Sequence, residues 1–257
     1  MRVAVIAGTP VDTQMGVEYI ENKNREIGSQ RCEPIYLPAA SDCDAQLKFQ
    51  YSDDVEKRFV IDRIFDAEIE KGTRNFFIYC NSLSGSFDFD SYEIEKNNAI
   101  ALKEKSKTIE TAPASAVPTF TDTVADTHID DSKIHIYTPL QVYRKLGAKY
   151  KCLGVMAAHN LSTHAIEEAL MSANPDIYVI GTGNMSIVHA IEDGMAPAEI
   201  VKKFELSAMT EYMKASGAEA MILGCTHFPY FKKELQAVSK LEIIDPADEM
   251  YASMMKE

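Results

Sequence analysis

The chain has 257 residues, 46% of them hydrophobic and 25% charged, and a formal net charge of −13. That length buries a substantial core, as one large domain or two small ones. So acidic a chain argues against nucleic acid or an anionic membrane as partner, since either needs a basic patch. An anionic small molecule remains compatible, held by backbone N–H groups at helix starts.

No stretch has the roughly 18 uninterrupted apolar residues of a membrane helix. The opening MRVAVIAG runs directly into strand-like sequence, with neither a signal-peptide nor a transit-peptide pattern. The five cysteines, Cys32, Cys43, Cys80, Cys152 and Cys225, are odd in number and scattered. They suit reduced thiols in a cytoplasmic protein better than a disulfide framework. No CxxC or HxxxH pair points to zinc, so no metal is expected.

In chain order, VAVIAG (3–8) reads as a buried strand, followed by a turn-rich segment and a helix over residues 17–26. PIYLPAA (34–40) is a second strand, leading into a polar loop at 41–44 that holds Asp42 and Asp44 as solvated carboxylates. Apolar residues near helical period over 52–71 predict a helix capped by Ser52. FFIYC (76–80) is a strand delivering Cys80, and a helix follows over 94–105. The pattern weakens from 105 to 131; a domain crossing is expected near 111–116, with VPTF (117–120) opening a new set of elements. Beyond it come a helix over 140–146, a strand over 152–158, a helix over 163–172 capped by Ser162 or Thr163, and a strand ending at Gly181. Helices at 187–193 and 197–216 precede a strand, AMILGC, that ends at Cys225. A helix over 231–239, the strand LEIID and a helix over 246–255 complete the chain.

Short apolar strands alternating with amphipathic helices predict an α/β fold with parallel sheets covered on both faces. Ligands in such folds sit at the carboxyl ends of strands. Two cysteines lie there in matching settings, Cys80 in CNSLSG (80–85) and Cys225 in GCTHFP (224–229). A thiol beside His227 is compatible with a base-activated nucleophile. A symmetric pair of thiols points instead to proton transfer at carbon. One thiolate removes a proton, and the other thiol returns one to the opposite face, as inversion of a stereocentre requires. Asn81, Ser82 and Thr226 are hydrogen-bond donors placed to stabilise the developing carbanion through a substrate carboxylate.

The pair CNSLSG and GCTHFP resembles the two motifs of the aspartate/glutamate racemase superfamily, cofactor-independent enzymes with two cysteine bases. The similarity covers most of the chain in order: a Gly-containing first loop, Cys-Asn-Ser, LGVMAAHNLST (153–163) and Cys-Thr-His. The resemblance implies two similar doubly wound domains related by a pseudo-twofold axis, residues 1–112 with 230–257 and residues 113–229, enclosing the site between them. It further implies Cys80 and Cys225 as acid/base residues and His227 as the group tuning Cys225. Gly8, Thr9, Asn81, Ser82, Thr163 and Thr226 would contact the substrate. An acidic amino acid, glutamate or aspartate, would be that substrate, with no cofactor and with homodimers as the assembly. The chain is a divergent member. Ala7 and Gly8 stand where glutamate racemases carry Asp-Ser, so Asp12 supplies that carboxylate only if the loop folds back. SIVHAIEDG (186–194) looks more like the aspartate racemases.

Simpler roles stand beside these. Cys32, Cys43 and Cys152 read as small buried hydrophobes, and His159 and His164 as surface or satisfied core residues. His227 could merely cap a helix. Gly181-Thr-Gly183 lacks the third glycine of a dinucleotide loop and reads as a tight turn whose amides line the cleft. Other superfamily chemistries, a hydantoin racemase, a maleate isomerase or a decarboxylase, and a non-catalytic ligand-binding relative are the alternatives.

Overall fold

The computed structural model describes residues 1–28, 30–111 and 132–256. Within them lie two four-stranded, wholly parallel sheets. The first uses β1 (Arg2–Ala7), β2 (Glu33–Pro38), β3 (Asn75–Ile78) and β4 (His135–Tyr137), in the order β2-β1-β3-β4. The second uses β5 (Cys152–Ala157), β6 (Tyr178–Gly183), β7 (Ala220–Gly224) and β8 (Glu242–Ile244), in the order β6-β5-β7-β8. Both halves therefore repeat one topology. Val3, Ala4, Val5, Ile6 and Ala7 are all fully buried, which explains the uninterrupted apolar run: a central parallel strand has helices over both faces.

The helices are α1 (Pro10–Ile27), α2 (Cys43–Tyr51), α3 (Asp54–Glu70), α4 (Asn81–Ser84), α5 (Phe89–Thr111) and α6 (Pro139–Lys149). Then follow α7 (Asn160–Ala173), α8 (Met185–Glu192), α9 (Pro197–Lys203), α10 (Leu206–Ala215), α11 (Lys232–Val238) and α12 (Pro246–Met254). A 3-10 turn, Phe228–Phe231, lies between β7 and α11. No helix among the described residues is long and apolar enough to cross a membrane.

Several expected boundaries move, each for a local reason. α1 starts at Pro10 rather than residue 17 because Thr9 and Asp12 form a capping box over it. Its other end closes on Gly28 at φ 69°, the left-handed turn that glycine adopts without strain. The polar segment 41–44 is the start of α2, with Asp42 accepting from the Ala45 N–H. Asp53, not Ser52, caps α3. His159, rather than Ser162 or Thr163, caps α7. The helix expected over 197–216 is two, α9 and α10, broken where Glu205 turns left-handed at φ 51°.

Sheet membership also shifts the expected domain boundaries. β4 pairs with β3, so the first sheet extends past residue 113; β8 pairs with β7, so the second extends past 230. The chain returns to the first core only with α12, whose Ala247, Met250, Tyr251 and Met254 join it. Residues 112–120 of the expected crossing and VPTF segment fall outside the described residues.

Candidate functional site

The carboxyl ends of β1 and β3 in one half, and of β5 and β7 in the other, open onto a cavity of about 210 Å³. Cys80 follows β3 and Cys225 follows β7, equivalent positions in the two sheets, and both line it. Both thiols are buried, and the charge of Cys225 bears on Cys80.

Each sulfur is held at the opening of the next turn. Cys80 Sγ accepts from the Leu83 N–H at 3.5 Å and from the Gln46 side-chain amide at 3.4 Å. Cys225 Sγ is 3.7 Å from His227 Nδ1, and His227 Nε2 is 3.3 Å from the Glu192 carboxylate at the end of α8. Burial pushes both thiols up. Cys80 moves well above the ordinary range, with the Asp12 charge adding to the effect. Cys225 is pushed up to about 12, with backbone N–H groups of His227 and Phe228 opposing the rise.

Asp12 occupies the first turn of α1 and also lines the cavity. Its Oδ1 accepts from Thr9 N and Thr9 Oγ1, both at 2.6 Å, and its Oδ2 from Gly8 N at 3.3 Å. Burial nevertheless raises its pKa, with Thr9 donation and the His227 charge pulling the other way. The loop therefore does fold back, and a carboxylate stands beside both thiols although Ala7 and Gly8 carry none.

Of the residues singled out in the sequence, Thr9, Cys80, Asn81, Ser82, Cys225, Thr226 and His227 line the cavity. Gly8 and Thr163 do not. Gly8 lies behind Gln46, whose amide nitrogen is 2.0 Å from where a Cβ on Gly8 would sit. Thr163 is buried and turned inward, donating to the carbonyls of His159 at 3.3 Å and Thr182 at 3.4 Å. Its methyl fills the space left by Gly181, 2.3 Å from where a Cβ would stand. The Gly-Thr-Gly segment is thus the end of β6 packed against α7, not a turn lining the cleft.

Asn81 accepts at Oδ1 from the buried Tyr143 hydroxyl. That bond fixes the amide's orientation and leaves its N–H₂ as the free donor. Ser82 Oγ meets Ser162 Oγ at 3.0 Å, a hydrogen bond between α4 of one half and α7 of the other. His159 lines the cavity instead of lying in the core or on the open surface. Its Nδ1 accepts from the Ser162 N–H at 3.2 Å, so the neutral ring carries its proton on Nε2; burial favours that neutral form. Among the described residues no cluster of His, Cys, Asp and Glu could hold a metal ion.

Glu192, Gln46, Leu47, Gln50, Met185, Val188 and His189 escaped the sequence reading, and all but Glu192 line the cavity. Nothing in linear spacing couples Glu192 to His227. The helix carrying Gln46 was masked by its weak amphipathic pattern.

Two parallel α/β units that present equivalent strand-end thiols to one cavity define a two-cysteine cleft protein. The chain belongs to the Asp/Glu/hydantoin racemase family, whose sequence model matches residues 59–253. It is similar to a glutamate racemase of Limosilactobacillus reuteri, 33% identical over 103 residues. That match covers 39% of this chain and 38% of the relative, so it spans well under half of either protein. Solved structures extend the likeness in fold. A glutamate racemase from Francisella tularensis in complex with D-glutamate superposes with a TM-score of 0.61 at 16% identity, covering 99% of this chain and 80% of that one. An aspartate racemase from Picrophilus torridus gives 0.60 at 14% identity, covering 99% and 93%.

Proposed function

We propose that this protein is a cofactor-independent racemase of an acidic amino acid, glutamate or aspartate, working by two-base proton transfer between Cys80 and Cys225. The observation that carries this is the meeting of two thiols from equivalent strand ends in one cavity. One thiolate takes the Cα proton and becomes a thiol. The opposite thiol gives its proton to the other face of the carbanion and becomes the thiolate, so proton and charge balance across the turnover. Among the described residues no lysine lines the cavity.

Asn81 N–H₂, the Ser82 and Thr226 hydroxyls and His159 Nε2–H are the donors that would hold the substrate carboxylates. Donors aimed at the carboxylate conjugated to the carbanion strengthen as charge builds there, which lowers the barrier. Burial keeps both thiols protonated in the empty site. The ammonium group of an entering amino acid brings positive charge into it and favours the first thiolate. His227, with Nε2 toward Glu192, presents Nδ1 to Cys225. Asp12 takes the place of the missing first-loop carboxylate.

A neutral hydantoin-type substrate is the second reading, favoured by the lack of Lys and Arg in the lining among the described residues and by the apolar Leu47, Ala158, Met185 and Val188. Incubation with single enantiomers of glutamate and aspartate in deuterated water tests both. Loss of optical activity with uptake of one α-deuteron is expected. No turnover of either acid, with turnover of a chiral 5-substituted hydantoin, would overturn the first reading in favour of the second.

A further inference from the structure

The surroundings of the two thiols differ, although their positions are equivalent. Cys225 faces an imidazole backed by a carboxylate. Cys80 has no imidazole among its hydrogen-bond partners; it has a neutral amide, delivered by α2.

We propose that Gln46 is the positioning residue for Cys80, its amide N–H₂ holding the sulfur as the base that takes the substrate's proton. Two independent features support this. Gln46 Nε2 stands 3.4 Å from Cys80 Sγ in the cavity wall. The backbone beneath is shaped to it, because a Cβ on Gly8 would meet the Gln46 amide at 2.0–2.6 Å. Glycine at position 8 is thus what lets the amide lie flat over the first loop and reach the sulfur.

The electrostatics explain why a donor is needed there. A thiolate accepts hydrogen bonds and cannot donate, so an amide N–H₂ favours it over the thiol. The other titratable groups lining the cavity with Cys80 are Asp12 on α1, Asp44 on α2, Cys225 and His227 beyond β7, His159 at the head of α7 and His189 on α8. The Asp12 carboxylate and the second thiol disfavour a thiolate at Cys80. The Gly8 and Leu83 backbone N–H groups and Gln46 favour it. On the other side of the cavity, His227 with its Nε2 proton turned to Glu192 accepts from the Cys225 S–H. Both thiols rest protonated; the Gln46 amide holds a thiolate when one forms at Cys80, and His227 leaves the proton of Cys225 in place.

This role concerns the thiol pair of the proposed racemase, and its test does not depend on turnover. Cys80 and Cys225 are alkylated with iodoacetamide in the substrate-free protein across a pH series, and each site is quantified by peptide mass spectrometry. Only the thiolate reacts. Gln46→Met keeps the side-chain length and removes the donor; Gln46→Glu keeps the shape and places an acceptor there. Loss of one hydrogen bond to a charged group corresponds to about tenfold less thiolate at a given pH. The expected order of Cys80 alkylation is therefore wild type, then Met about tenfold slower, then Glu slower still, with Cys225 and the thermal midpoint unchanged. Equal Cys80 rates in the three proteins, or an equal slowing of Cys225, would overturn the assignment. If the order holds while the wild type racemises nothing, Gln46 keeps its role and the proposed reaction falls. If the wild type racemises and the order is absent, the reverse applies.

Discussion

At Cys80 and Cys225 burial sets the protonation before any partner acts. Both thiols are pushed up, Cys225 to about 12, so near neutral pH each is held as S–H. The thiolate fraction grows tenfold for each pH unit below such a value. Racemisation is accordingly expected to quicken as pH rises through the mildly alkaline range, and a maximum on the acid side would contradict that order. Two-base transfer also needs both sulfurs. Cys80→Ser and Cys225→Ser should each lower kcat/KM by about 10²–10⁴-fold, the usual worth of a general acid or base. Full activity in either variant would refute the scheme. Asp12 shows how a carboxylate reaches the cavity from another position: Ala7 and Gly8 carry none, yet the capping box turns Asp12 into it.

Helix starts do double service at the scale of elements. Thr9 heads α1 and His159 heads α7, and each follows a central strand, so satisfying a helix's first N–H groups also places side chains at the cavity. Asp245, at the head of α12, shows the cost of such a cap when it is buried. Its carboxyl is raised from 3.8 to about 6, chiefly by burial, against the Ala247 N–H it accepts from. The folded protein therefore holds a proton there that the unfolded chain has already released. Stability falls as pH rises from about 4 to about 6 and stays lower above it. Asp245→Asn keeps a good cap and removes the ionisation. It is expected to raise stability at pH 8 by up to about 3 kcal/mol, measured by thermal unfolding, and to lose the advantage at pH 4. Close helix crossing sets another limit: a Cβ on Gly147 of α6 would lie 2.3 Å from the Leu170 carbonyl of α7. Gly147→Ala should cost about 1–3 kcal/mol in denaturant unfolding, and an unchanged midpoint would show that the helices can part.

Across the whole molecule, the cavity exists only because two units of the same strand order face one another. The Ser82–Ser162 hydrogen bond is one direct polar tie between them. Ser162→Ala leaves the Ser82 hydroxyl without that partner. A loss of about 0.5–1.5 kcal/mol is expected, together with a raised KM, since Ser82 is a proposed carboxylate donor. An unchanged KM would remove Ser82 from that role.

The alternating elements, the two thiols and their strand-end placement were legible in the sequence because each is local. Apolar runs announce buried parallel strands, and Cys-Asn-Ser and Cys-Thr-His stand directly at their ends. β4 was not legible: three residues, HIY, are too few to show a period, and pairing with β3 makes them a strand. Gly8 and Thr163 lie just beyond the right strand ends, but the direction a side chain or N–H takes depends on neighbours far along the chain. Glu192 reaches His227 across 35 residues, and Gln46 reaches Cys80 across 34. The sequence by itself determined which strands are buried and where the two strand-end thiols stand, because burial and strand-end position follow from local pattern. Only the tertiary structure decided what surrounds each thiol, Gln46 and Asp12 at one and His227 with Glu192 at the other, because hydrogen bonds and field effects act through space.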